Sequence, residues 1–263
     1  MRKIVSLITI IAISGLINIS VGQEKINFQD KKGMKQGHWV TRYDNGNTRY
    51  EGDFVNNKPE GEFRRYYEDG TLAALLYYYP NADSVSAAIF HTNGYISGKG
   101  SYHNQAREGK WEFYSQYIKD YLVCMEYYSN DLREGRSLKY HWNGNIAEEI
   151  TFAGDKQTGE WKQYYSDGVL ALRGLYVNGK RNGPFETFTT EGLPMIRGNY
   201  SNDIRTGDWS FYNNDGSFRT TIRYINGVPE NLNELEKKET DLLDEMEKRG
   251  GMIEDPAKTG FQW

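Results

Sequence analysis

Four histidines, one cysteine and a series of glutamates beside glycines are the side chains of this 263-residue chain that could carry chemistry. A metal site or an acid–base pair needs several such groups at defined spacing. His38, His91, His103 and His141 stand apart, and no H-E-x-x-H, G-x-S-x-G or P-loop pattern occurs. His91 and His141 fall where Tyr43, Tyr67 and Tyr165 stand in other copies of a recurring unit, so they read as ring substitutes in a strand. Cys124 has no second cysteine to pair with inside the chain, and no thiolate cluster exists to hold a metal. Glu60, Glu108, Glu134 and Glu160 flank repeat glycines and read as solvated turn residues. A glycosidase-like carboxylate pair across neighbouring units stays open, because nothing selects one. The expectation is no catalytic residue, no metal and no cofactor, with a hydrolase the least favoured class.

The pattern that positions these residues has a period of 24. A glycine opens the unit at Gly37, Gly61, Gly109, Gly135, Gly159, Gly183 and Gly207, with Val85 at the missing place. Two residues on stands an aromatic, Trp39, Phe63, Trp111, Trp161, Phe185 or Trp209, with Ala87 and Ser137 as exceptions. Then comes Asn-Gly, Asp-Gly or Glu-Gly, the strongest short-range hairpin signal when apolar runs flank it. The fourth unit replaces it with "SQYIKDY" (115–121), two residues longer.

The second half of each unit alternates apolar and polar, as in Phe218, Thr220, Ile222, Tyr224 against Arg219, Thr221, Arg223. That is a strand with one dry and one wet face. The dry row ends in an aromatic eight times: Phe54, Tyr78, Tyr102, Tyr128, Phe152, Tyr176, Tyr200 and Tyr224. Two residues earlier, Gly52, Gly100, Gly174 and Gly198 leave room for a neighbouring ring to lie on the backbone. An isolated hairpin is marginal in water. Stacked copies bury their rows mutually, at about 2–3 kcal/mol for each ring. The fold expected is all-β: one elongated, twisted antiparallel sheet of about eight stacked 24-residue hairpins over 37–230, with a C-terminal helix.

The flanks differ. Arg2 and Lys3 precede an apolar run closed by Ser20 and Gly22, the pattern of a secretory signal peptide over 1–22. Cleavage near Gly22 and an exported mature chain are expected, with a lead-in over 23–36. Residues 231–263 lack the repeat and carry nine acidic and five basic groups, so the formal charge of −4 resides there. Leu232, Leu235, Leu242 and Met246 share a helical stripe with Leu243 beside it, and Gly250 is a plausible stop. A helix covering the open end of the sheet is one reading; a dimerising or partner-binding helix is the other. Phe261 and Trp263 could tuck onto the sheet or dock in a partner. No basic run supports nucleic-acid binding.

"GEWKQYYSDGVLALRGLYVNGKRNG" (159–183) resembles the bacterial variant of the MORN repeat, and "GEFRRYYEDGTLAALLYYYPNAD" (61–83) begins the same way. The resemblance extends over roughly residues 37–230. It implies the hairpin array and, for bacterial chains, a YwqK-type antitoxin label; eukaryotic relatives imply lipid or protein binding. Fold alone does not set activity. The residues point to a non-catalytic scaffold binding a protein partner through its sheet, with no nucleic acid. Trp39, Tyr43, Tyr67, Trp111, Tyr117, Trp161, Tyr165 and Trp209 are the candidate contact surface, since Tyr and Trp dominate interface hot spots. Saccharide, cell-wall or membrane-surface binding and an immunity-type role are the alternatives. Three departures from the repeat are further candidate sites: the third unit without its opening glycine, the long fourth turn, and Glu148 on the dry row.

Overall fold

The computed structural model describes residues 25–80, 83–230 and 233–250. The predicted signal segment and the Phe261–Trp263 end lie outside them. One antiparallel sheet runs in chain order through eight hairpins. The first four are Lys35–Arg42 with Thr48–Val55, Lys58–Tyr66 with Leu72–Tyr78, Ser84–Phe90 with Ile96–His103, and Ala106–Tyr114 with Leu122–Ser129. The fifth and sixth are Gly135–Tyr140 with Ile146–Ala153 and Lys156–Tyr164 with Leu170–Val177. Gly183–Phe188 with Pro194–Ser201 and Ile204–Tyr212 with Phe218–Ile225 complete the series.

Two turn chemistries alternate along the edges. Inside the first hairpin the Gly46 N–H donates to the Tyr43 carbonyl, and Gly46 sits at φ 88°. The predicted Asn-Gly turn is thus a type I turn closed by a left-handed glycine, rather than a two-residue type I′ turn. True two-residue turns join successive hairpins except the second and third, which residues 79–83 connect. Asn56-Asn57, Asn130-Asp131, Asn202-Asp203 and their equivalents have both residues at positive φ, which Asn and Asp tolerate.

The opening glycines have one physical reason. Gly61, Gly109, Gly159 and Gly207 lie at φ between 68° and 73°, where the pairing with the preceding hairpin slips. They are left-handed residues of β-bulges. Val85 cannot adopt that φ, and its strand pairs with Leu72–Tyr78 without a slip.

The second set of glycines meets the rings as expected. A Cβ on Gly52, Gly100 or Gly198 would overlap the ring of Phe63, Trp111 or Trp209, respectively, each of which comes from the next hairpin. The dry face thus interlocks small against large across six of the seven boundaries. Leu76 faces Ala87, and Glu126 occupies the glycine position before Ser137. The two residues that break the aromatic rule, Ala87 and Ser137, follow two of the three boundaries where another side chain replaces glycine. At the fifth boundary Ile150 and Trp161 are both large, and Trp161 instead lies against Gly174 of its own hairpin.

Edge-to-face ring pairs then run along the row, including Phe63–Tyr78 at 5.8 Å, Tyr102–Trp111 at 5.0 Å and Tyr200–Trp209 at 5.1 Å. Guanidinium groups cover their outer ends: Arg107 over Tyr128 at 3.9 Å, Arg133 over Phe152 at 4.0 Å, Arg181 over Tyr200 at 4.2 Å. Each of these arginines also binds the aspartate of the next inter-hairpin turn, Asp131, Asp155 or Asp203. The Arg133 N–H and side chain hold Asp155 below the usual carboxylate range.

Both ends of the array are finished by side chains. At the first edge the Asn27 amide donates to the Val40 carbonyl at 3.0 Å, and its oxygen accepts the Val40 N–H at 2.7 Å. One side chain thereby stands in for a peptide group of a neighbouring strand. At the other end the helix Glu234–Gly250 starts from a capping box, with Asn233 and Glu236 exchanging backbone-to-side-chain bonds of 2.8 and 3.0 Å. Leu243, fully buried, enters the cluster of Trp209, Phe211, Ile222 and Tyr224. Arg205–Asp244 at 2.7 Å and Arg219–Glu239 at 2.6 Å fix the helix to the last hairpin. The helix therefore packs on the final repeat through Leu243, which stands beside the expected stripe; Leu232 of that stripe lies outside the described residues. Leu243→Ala is expected to remove about 2–5 kcal/mol of docking energy. Hydrogen exchange should show the helix amides opening while those of the first hairpins keep their protection.

Candidate interaction surface

The dry face is not uniformly apolar. Phe54, Phe63, Leu76, Ile89, Trp111 and Tyr128 belong to one cluster, and Leu172, Phe185, Ile196, Trp209 and Tyr224 to another. Between them hairpins four to six place Glu126, Ser137, Lys139, Glu148 and Gln163 on the same face. Glu148 receives the Lys139 ammonium at 2.7 Å, the Trp161 indole N–H at 3.0 Å and the Gln163 amide at 3.0 Å. Burial pushes its carboxyl up, but the Lys139 charge and these three donors outweigh that and leave it below its ordinary value. Buried Glu126 accepts from the Tyr128 hydroxyl and lies 3.8 Å from Arg133. The departure at Glu148 is thus a self-satisfied polar bridge joining two apolar clusters.

Most of the candidate surface turns inward or is spent on the fold. Trp111 and Trp209 are 1% and 0% exposed, so their burial corrects their assignment to a contact surface. The Trp111 indole donates to the Ser101 carbonyl at 3.1 Å. Trp39 and Trp161 are half-buried, the first donating to the Gln36 carbonyl and the second to Glu148. The Tyr43, Tyr67 and Tyr165 hydroxyls donate to the Tyr66, Phe90 and Phe188 carbonyls at 2.7–2.8 Å, each 23 residues ahead. His91 and His141 contact the Tyr114 and Tyr164 carbonyls in the same way, at 3.3 and 2.7 Å. Their reading as ring substitutes follows from one ladder of side chains tying successive turns together. Cys124 is buried on the dry row.

Tyr117 alone of the set stands free, at 84% exposure in the long fourth turn. Beside it Ile118 is 54% exposed, and Trp142 in the next turn is 77% exposed. Trp142 escaped the sequence reading, although its signal was present. The equivalent residue is Asp44, Glu68, Thr92, Ser166, Thr190 or Asn214 in six other hairpins. The wet face carries matched charges instead: Arg136–Glu149 at 2.7 Å, Lys162–Glu160 at 2.6 Å, and Glu186 between Arg173 and Arg197. Such exposed pairs contribute little stability. Desolvation, together with bonds to Glu51 and Glu112, pushes the Tyr66 and Tyr114 hydroxyls up to about 12. Around Glu186 and Arg197 the wet face forms a shallow, open concavity.

Residues 59–81 and 157–178 match the model of the MORN repeat variant. No curated protein shows significant similarity to the chain. Among solved structures, a chain of the crystal structure of a GtfA/B complex is 13% identical, with a TM-score of 0.27. The match covers 41% of this chain and 20% of that one, and at this score it carries no argument.

Proposed function

We propose that this chain is an exported, non-catalytic repeat scaffold that binds a protein partner. Support for recognition rests on one observation. The polar chemistry of the array is consumed in self-contacts, whereas large rings stand free on the turns of hairpins four and five. The repeat-variant matches at two places fit a hairpin scaffold. Support for export is the Arg2-Lys3 start, the apolar run and the small residues that close it. The test is expression of the whole chain in a bacterium, followed by fractionation, terminal sequencing and cross-linking in the envelope. A chain shortened near Gly22, outside the inner membrane and cross-linked to a protein, is the expected result. A full-length chain retained in the cytoplasm removes the export part. A chain that hydrolyses envelope polymers, with no cross-linked protein, removes the scaffold part.

A further inference from the structure

We infer that the adjoining turns of hairpins four and five form a docking point for a protein segment that is basic and carries apolar side chains. This inference rests on the scaffold reading and names its contact site. Trp142, Tyr117 and Ile118 sit on consecutive turns, and the Tyr121 hydroxyl joins the two by donating to the Tyr140 carbonyl at 2.6 Å. Among the described residues, neither the Trp142 indole nor the Tyr117 ring has a hydrogen bond or a ring partner. Folding gives no reason for either ring, since rings this exposed gain little from burial. Exposed Trp and Tyr on adjoining turns are residue types that anchor protein interfaces.

Charge selects the partner. The eight hairpin turns carry seven carboxylates against Lys119, with Arg42 bonded to the first turn; the docking turns themselves hold Lys119 and Asp120, so the acidic excess lies on flanking turns such as those of Asp69, Asp167 and Glu191. The Thr71 N–H holds the Asp69 carboxyl below its ordinary value, so it stays ionised at neutral pH. Flanking turns of this sign repel an anionic bilayer and attract a Lys- or Arg-bearing segment. Apolar side chains of that segment would meet Trp142, Tyr117 and Ile118.

The test is selection of a displayed library of random 12-residue peptides against the whole chain. Enriched peptides should combine Lys or Arg with apolar residues. Trp142→Ala should weaken them about thirtyfold, and binding should fall as salt is raised. Because Trp142 is exposed, the variant's melting temperature should not move. Enrichment of acidic peptides, tighter binding to phosphatidylglycerol vesicles than to peptides, or affinity indifferent to Trp142→Ala overturns the site. Peptides displaced only by changes on the wet face overturn the site and leave the scaffold reading intact. An empty selection, joined to photocrosslinkers along both faces that capture no protein, overturns both.

Discussion

Gly100→Leu should cost about 3 kcal/mol, because the new side chain has to displace the buried Trp111 ring. In a domain of this size that lowers the melting temperature by roughly 6–12 °C. Trp111→Ala should cost about 3–5 kcal/mol through the cavity it leaves. The double variant recreates the Leu76–Ala87 pairing found one boundary earlier. It should therefore lose less than the two single costs combined, with a coupling of about 1–3 kcal/mol. Denaturant melts of the four proteins give the cycle directly. Simple additivity would show that the boundary is not size-matched, and the account of the dry face would fail with it.

Lys139→Met is expected to have an effect of similar size and to reverse the response to acid. The substitution leaves Glu148 without its cation in a site that excludes water, which typically costs about 3–5 kcal/mol at neutral pH. In the natural chain the Glu148 carboxyl lies below its ordinary value when folded. Its contribution is therefore complete above the unfolded carboxyl range and fades as pH falls through the folded value. In the variant only the Trp161 and Gln163 donors remain to offset burial, and the folded value is expected to rise above the unfolded one. Stability should then recover as pH drops from neutral toward that raised value, where the natural chain is still unaffected. Melts across pH 4–8 distinguish the two. Parallel curves for both proteins would mean that Lys139 does not neutralise Glu148.

Much of this architecture is legible from residue order alone. A left-handed glycine, a ring two residues later and a turn dipeptide recur often enough to define eight hairpins and their dry faces. The glycines under Phe63, Trp111 and Trp209 follow from the same pattern. What escapes is whatever depends on the adjoining copy. Trp111 and Trp209 qualify as contact residues by type, yet the next ring and a missing Cβ bury them. Nothing within its own unit marks a partner for the Tyr43 hydroxyl, because its acceptor lies 23 residues away. The polar bridge at Glu148 is visible only as a lone charge, because Lys139, Trp161 and Gln163 reach it from two strands. Trp142 is the opposite case. Comparison with its six polar counterparts marks it, and only the turn geometry shows that its ring stays uncovered.

The size matching across hairpin boundaries bears on how such a gene can lengthen. Gly100 and Trp111 belong to different units as the repeat is written, yet each tolerates only a suitable mate. A duplication whose breakpoints fall between hairpins can separate such mates; a second copy of the fourth unit, for example, would set Glu126 against Trp111. Breakpoints at hairpin tips would copy the second strand of one unit with the first strand of the next, keeping mates together. The heritable module is therefore displaced by half a period from the one the glycines announce.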